Sequence, residues 1–374
     1  MTKDIIMLAA GGTGGHLFPA EALAHELTAR GYEIHLVTDS RAERFAGKFP
    51  AAAVHVVPSA TVSTKNPIKA AQALWTLWSG LRAAKALMRK IRPRAVVGFG
   101  GYPTVPPVMA ASRLSIPTMV HEQNAVMGRA NKALAARVIA IAGGFLPETE
   151  GPYAQKTVTT GNPVRPAVLE AANVPFVAPG PEDPFQLVVF GGSQGAQFFS
   201  KAIPSAISLL DDAKRRRIVV TQQARPEDMD MVRGCMARLE LDSAVSPFFT
   251  DMAERIARAH LVICRSGAST VSEISVIGRP AILVPYPHAL DHDQAANAKM
   301  LAAAGGAKVI AQSELSAEKL SAIIANAMDD PVSLAAMAAN AKKAGRPHAA
   351  HLLADLVEAL AGGMPIAEFK EKRI

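Results

Sequence analysis

The chain has 374 residues, of which 49% are hydrophobic and 19% charged, and its net charge is +8. At about 150 residues per domain this suggests two or three domains with sizeable cores. Gly 27 and Pro 26 are too few for a collagen-like or disordered chain, and the two well-separated cysteines, Cys235 and Cys264, exclude a disulfide scaffold and a cysteine-based zinc or iron–sulfur site, so a cytosolic enzyme fits best.

No export signal or membrane span is expected. The apolar run Ile5 to Ala10 is short for a signal core and runs into glycine. The longest uncharged stretch, 95–112, is interrupted by Gly98, Gly100, Gly101, Pro103, Pro106 and Pro107. The charge is one-sided. Residues 1–165 hold 19 Lys/Arg and 9 Asp/Glu, whereas residues 166–374 hold 21 and 23. That asymmetry points to an anionic partner for the first half: nucleic acid, a phosphorylated substrate or an acidic membrane surface.

In chain order, Ile5–Ala10 reads as a buried parallel strand, Gly11 to His16 as a glycine-rich turn, Pro19–Arg30 as a helix closed by Gly31, and Ile34–Thr38 as the next strand. Further strands are expected at Val54–Val57, Ala95–Gly98, Thr118–His121 and Val138–Ile141. The plan then restarts. Gln186–Phe190 reads as a strand, Gly191 to Gly195 as a turn and Gln197–Leu210 as a helix, with later strands at Arg217–Thr221, Leu261–Cys264 and Ala281–Val284. Such alternation predicts two doubly wound α/β domains with parallel sheets, and a ligand in a central cleft at their carboxyl edges. The expected domains are 1–163 and 164–349, with a C-terminal helix at about 350–374 packing back on the first. The segment Val174 to Phe185, with four prolines, reads as a surface connection into the second.

Two glycine-rich loops are the first chemical signals. Gly11-Gly12-Thr13-Gly14-Gly15-His16 lets backbone approach a ligand at a helix start. It lacks the Gly-Lys-Ser/Thr of a phosphate-binding loop, and Leu17 stands at the third glycine of the dinucleotide pattern. Asp39 could still serve a ribose, which keeps a nicotinamide enzyme open. His16, next to that turn, suits a general base or a structural histidine about equally. Gly191-Gly192-Ser193-Gln194-Gly195-Ala196 is the counterpart in the second half, able to hold a diphosphate. Glu273, in the first turn or so of a helix after Cys264-Arg265-Ser266-Gly267, can accept two ribose hydroxyls or complement the helix dipole. His121-Glu122-Gln123-Asn124 gathers four polar groups at a strand end. His288, Asp291, His292 and Asp293 look superficially like a metal site, but Pro285 and Pro287 precede them and no metal is expected.

Together these motifs resemble glycosyltransferase family 28, the peripheral membrane N-acetylglucosaminyltransferases of bacterial peptidoglycan synthesis. The first-half marks are 11–16, Gly98-Phe99-Gly100-Gly101-Tyr102, 121–124 and Gly161-Asn162-Pro163-Val164-Arg165. The second-half marks are 191–196 and 264–268 with Thr270-Val271-Ser272-Glu273, all in order from about residue 4 to about 360. The resemblance implies a GT-B fold with two Rossmann-like domains. It also implies an inverting, metal-free transfer of N-acetylglucosamine from UDP-GlcNAc to the 4-hydroxyl of lipid I, giving lipid II. Carried over by position, Thr13, Gly14, Gly15 and Asn124 would meet the donor from the first domain. Arg165, Ser193, Phe249, Ala268, Ser269, Thr270, Val271, Ser272, Glu273 and Gln294 would meet it from the second, with Arg265 a further donor to the diphosphate and His16 the base. Asp293-Gln294 stands where some members carry two glutamines, and Ser269 replaces an apolar residue common there. A UDP-N-acetylglucosamine 2-epimerase and a non-catalytic sugar-nucleotide-binding or membrane scaffold are the competing readings.

Residues 65–94 hold eight Lys/Arg, no acid, and both tryptophans. On a helix, Leu74, Leu77, Leu81, Ala84 and Met88 form one apolar face, read as core, flanked by Trp75, Trp78, Arg82, Lys85 and Arg89. That pairing suits an anionic membrane and not nucleic acid. The resemblance, in turn, implies peripheral attachment to the cytoplasmic face of the inner membrane and leaves other cell-wall enzymes open as partners.

Overall fold

The computed structural model of the protein describes residues 3–11, 13–40, 49–60, 66–289 and 293–373. The chain divides into two compact units, Met1–Arg165 with Pro347–Ile374, and Pro166–Arg346.

The first unit is built on a seven-stranded sheet: β1 (Ile5–Ala9), β2 (Glu33–Thr38), β3 (Ala53–Val56), β4 (Ala95–Gly98), β5 (Thr118–Glu122), β6 (Ala140–Gly143) and β7 (Thr157–Thr159), in the order β3-β2-β1-β4-β5-β6-β7. Every adjacent pair is parallel. The sequence explains why both faces are covered. In β1, Ile6 and Leu8 enter one core and Met7 and Ala9 the other, so an uninterrupted apolar run is buried on both sides. The first core is closed by the helix Gly14–Ala29 and by the C-terminal helices Ala349–Ala361 and Ile366–Lys372, through Leu353, Leu356, Val357, Leu360 and Phe369. The second is closed by Pro67–Ile91, Val105–Arg113 and Arg129–Ala135.

Arg30 ties the C-terminal segment to the first helix. Its Nη1 donates to Asp355 Oδ1 (2.7 Å) and Glu358 Oε2 (2.6 Å), and its Nε to Glu26 Oε1 (2.9 Å). Burial pushes the Glu26 carboxyl up, but the hydrogen bonds from Arg30 and His351 outweigh it and hold the group below its ordinary range. The stability this gives is therefore complete above the usual carboxylate pKa and fades as pH falls through the lowered one. Arg30→Ala is expected to cost about 2 kcal/mol, read as a lower urea midpoint at pH 7; a midpoint equal to wild type would show the latch to be neutral.

The second unit has a six-stranded parallel sheet: β8 (Phe185–Phe190), β9 (Ile218–Gln223), β10 (Asp242–Ser246), β11 (Leu261–Cys264), β12 (Ala281–Leu283) and β13 (Ala307–Val309), in the order β10-β9-β8-β11-β12-β13. The proline-rich segment after the helix Pro166–Ala171 is pinned from below. Buried Arg279 donates through Nη2 to Val174 O (2.9 Å) and through Nε to Ala257 O (2.8 Å).

Two expected turns are helical instead. The first helix starts at Gly14 and contains Pro19, and the second-unit helix starts at Gly192 and runs to Ser208. Glycine usually punctuates chains, but Gly14, Gly15 and Gly192 lie in the first turns, where free N–H groups are the rule, whereas Pro19 is the sixth residue of its helix and leaves one interior hydrogen bond unmade.

Candidate active site

Each sheet reverses its strand order once, between β1 and β4 and between β8 and β11. Connections diverge there, which opens a crevice at the strands' carboxyl ends. The motifs lie at these ends.

In the first unit, Thr13 is the N-cap residue of the helix Gly14–Ala29, and its carbonyl accepts from the N–H groups of His16 and Leu17, both at 3.2 Å. Gly14, Gly15 and His16 form the first turn. After β4 the backbone turns through Gly100 (φ 89°) and Gly101 (φ 74°), a region that favours glycine. A Cβ on Gly100 would stand 3.2 Å from His16 Cε1, and one on Gly101 3.2 Å from His16 Cδ2. The imidazole is thus packed by backbone that cannot carry side chains. Thr104 Oγ1 fixes this turn by donating to Gly100 O (2.6 Å).

The segment after β5 supplies the polar partners. His16 Nδ1 lies 3.1 Å from Gln123 Oε1. Gln123 Nε2 donates to Phe99 O (3.0 Å) and His121 O (3.1 Å) and lies 3.0 Å from His121 Nδ1. His121 Nε2 donates to Gly161 O (3.1 Å), and burial pushes its pKa down to about 4, so it is neutral near pH 7. Asn162 Nδ2 donates to Gln123 O (3.0 Å). The Gly-Asn-Pro segment therefore braces the site as well as closing the first unit.

Glu122 is buried and fully occupied. It accepts from Asn124 N (3.0 Å), Asn124 Nδ2 (3.1 Å), Gly128 N (2.8 Å) and Asn131 Nδ2 (2.8 Å). It therefore shapes the Asn124 loop. Arg165 belongs to the first unit and not, as expected, to the second: its guanidinium stacks on the Phe18 ring at 4.1 Å, over the first helix.

In the second unit, Ser193 lies in the first turn of the helix Gly192–Ser208, and its side chain is outside the described residues. Phe249 follows β10, with its ring against the Arg255 guanidinium at 4.4 Å. Ala268 to Glu273 form the first turns of the helix Ala268–Ile277, capped by Gly267 and ended by left-handed Gly278. Glu273 is its sixth residue, half-buried in the second turn, beyond the first turn where a carboxylate complements the helix dipole best. Gln294 Oε1 accepts from Tyr286 N (3.0 Å), so its Nε2 donors are the part a ligand can use.

Arg265 is not the diphosphate donor the sequence suggested. It is buried, with Nη1 donating to Val284 O (3.1 Å) and Pro285 O (3.3 Å) and Nη2 to Gln312 Oε1 (2.5 Å). Burial lowers its pKa. Asp291 and His292 lie outside the described residues. Among the described residues no group of three or more His, Cys, Asp or Glu could hold a metal ion.

The basic helix Pro67–Ile91 is capped by Asn66, whose side chain accepts from Ile68 N (3.0 Å) and Lys69 N (3.2 Å). Its buried side is Ala73, Gly80, Ala84 and Met88; a Cβ on Gly80 would overlap the Pro58 carbonyl oxygen. Leu74, expected in the core, is 59% exposed and lies beside Trp75 (67%) and Trp78 (47%). The indole rings are 5.0 Å apart, and the Arg82 guanidinium sits 4.9 Å from the Trp78 ring centre. No helix among the described residues is long and apolar enough to cross a membrane.

The glycosyltransferase family 28 N-terminal domain matches residues 6–142 and the family 28 C-terminal domain residues 186–353. A Rhizobium leguminosarum bv. trifolii protein named UDP-N-acetylglucosamine--N-acetylmuramyl-(pentapeptide) pyrophosphoryl-undecaprenol N-acetylglucosamine transferase is 70% identical over 373 residues, covering 100% of each chain. A Rhizobium johnstonii protein of the same name is 71% identical with the same coverage. The crystal structure of Acinetobacter baumannii MurG superposes with a TM-score of 0.74 at 30% identity, over 96% of this chain and 99% of that one. With both family domains matched in order and relatives aligned end to end, the chain belongs to glycosyltransferase family 28.

Proposed function

We propose that the protein transfers N-acetylglucosamine from UDP-N-acetylglucosamine to the 4-hydroxyl of the N-acetylmuramoyl-pentapeptide of undecaprenyl-diphosphate-linked lipid I, giving lipid II. The observation that carries this reading is His16, set at the strand-order reversal of a family 28 fold, packed by Gly100 and Gly101 and hydrogen-bonded through Nδ1. A sugar hydroxyl is a poor nucleophile and needs a base at this place. In one displacement the acceptor oxygen bonds to the anomeric carbon and the bond to the UDP oxygen breaks with its electron pair. The hydroxyl proton passes to His16 Nε2, and the α donor gives a β product.

Thr13, Gly14, Gly15, Asn124 and Arg165 are the proposed donor contacts of the first unit, and Ser193, Phe249, Ala268 to Glu273 and Gln294 those of the second. Glu273 takes the ribose diol. The leaving diphosphate is met by helix N-termini and Ser193, and the mechanism calls on no metal ion. The test is UDP release: it should require a short-chain lipid I analogue. Acceptor-independent epimerisation of the donor would overturn the reading in favour of a 2-epimerase.

The exposed Leu74, Trp75 and Trp78 beside Arg82, Lys85 and Arg89 support docking on an anionic membrane, where the acceptor's lipid tail resides. Each basic residue near such a surface contributes ~1 kcal/mol within a Debye length of ~8 Å. Trp75→Ala/Arg82→Ser/Arg89→Ser should lose most co-sedimentation with anionic vesicles while keeping activity on a water-soluble acceptor. Equal binding of both proteins to anionic and neutral vesicles would make the patch an ordinary solvated face.

A further inference from the structure

The Gln123 amide has its orientation fixed from outside the catalytic position. Phe99 O and His121 O are carbonyls and can only accept, so both require the NH2 end of Gln123 toward them. His121 agrees. Its Nε2 must carry a proton to donate to Gly161 O, and since burial keeps the ring neutral, its Nδ1 is bare and is a third acceptor facing the Gln123 NH2 group, whose two N–H groups are shared among the three. With Nε2 committed, Oε1 is the end that meets His16 Nδ1. An amide oxygen only accepts, so Nδ1 of His16 must be the protonated nitrogen.

From this geometry we infer that Gln123 is a positioning residue that holds His16 in the Nδ1–H tautomer, leaving the Nε2 lone pair as the base. The inference rests on the transfer reading above and names the device that prepares its base. The relay runs from Gly161 O through His121 and Gln123 to His16, linking the Gly-Asn-Pro segment to the catalytic ring. It carries no proton onward. After Nε2 takes the acceptor's proton, Nδ1–H still donates to Gln123 Oε1, and an amide oxygen is too weak a base to remove it. The second proton position therefore stays fixed through the reaction, as the buried carboxylate does for the histidine of a serine protease triad, where the wrong tautomer costs orders of magnitude in rate.

The experiment uses the full-length chain with 15N-labelled histidine and NMR of the ring nitrogens, without substrate, on the neutral form of the ring. The wild type should show Nδ1 protonated and Nε2 bare. Gln123→Met, similar in size but without donor or acceptor, should shift His16 toward the Nε2–H form. It should lower kcat by roughly tenfold or more while the KM for UDP-N-acetylglucosamine stays within about twofold. Gln123→Glu keeps an acceptor and adds negative charge that favours the imidazolium, so the acidic limb of its kcat profile should move to higher pH. Wild-type His16 protonated on Nε2 would overturn the inference, and this readout stands even where a variant fails to fold. So would a folded Gln123→Met with wild-type kcat. Absence of transfer by the wild-type chain would instead overturn the reading beneath it.

Discussion

His16→Ala lowers turnover by roughly 10²–10⁴-fold, the usual span for a general base, and leaves UDP affinity close to that of the wild type. The two halves of this result have separate origins. The ring accepts the hydroxyl proton only as the new bond forms, so its loss is felt in kcat. The backbone N–H groups of His16 and Leu17 keep their hydrogen bonds to Thr13 O without the imidazole, which holds the loop Thr13 to Gly15 in place. Steady-state rates with a short-chain lipid I analogue, alongside calorimetry with UDP, measure both. A loss of less than tenfold would place the base elsewhere. Glu122 is a poor substitute, because Asn124, Gly128 and Asn131 already occupy its oxygens.

Glu273→Ala acts on the other side of the reaction. A carboxylate accepting both ribose hydroxyls makes two charge-assisted hydrogen bonds, typically ~1.5–3 kcal/mol each. Allowing for solvent at a half-buried site, UDP affinity should fall roughly 10- to 100-fold, at about 1.4 kcal/mol per decade. The helix Ala268–Ile277 should survive, since its cap at Gly267 and its end at Gly278 do not involve this side chain. Calorimetry with UDP decides it, and unchanged affinity would remove Glu273 from the donor site.

The central strands were legible in the sequence because parallel strands covered on both faces are uninterrupted apolar runs, as in Ile5 to Ala9 and Leu261 to Cys264. Three of the four edge strands were not. Thr157–Thr159, Asp242–Ser246 and Ala307–Val309 are three to five residues long, and their pairing is set by the neighbour, not by their own composition. The glycine loops were located correctly but assigned the wrong local shape, because a helix's first turn and a tight turn share residue preferences. Arg165 was expected in the second domain, but it ends the first unit and stacks on Phe18, a cation–ring contact that spacing does not encode. Arg265 shows the converse. A guanidinium in a motif suggested an anion, but its Nη1 and Nη2 are turned to carbonyls and the Gln312 amide oxygen. The His121 to Asn124 motif was visible, yet the division of labour within it depends on which atoms face which, and only the fold supplies that.

The most direct measurement is the structure of the product. The protein is incubated with UDP-N-acetylglucosamine and a short-chain lipid I analogue, and the lipid fraction is analysed by mass spectrometry and proton NMR. The account predicts a single added N-acetylglucosamine, β-linked to the 4-oxygen of the muramoyl residue, with UDP released in equal amount. An α linkage, attachment at another hydroxyl, or turnover of the donor with no disaccharide formed would contradict it.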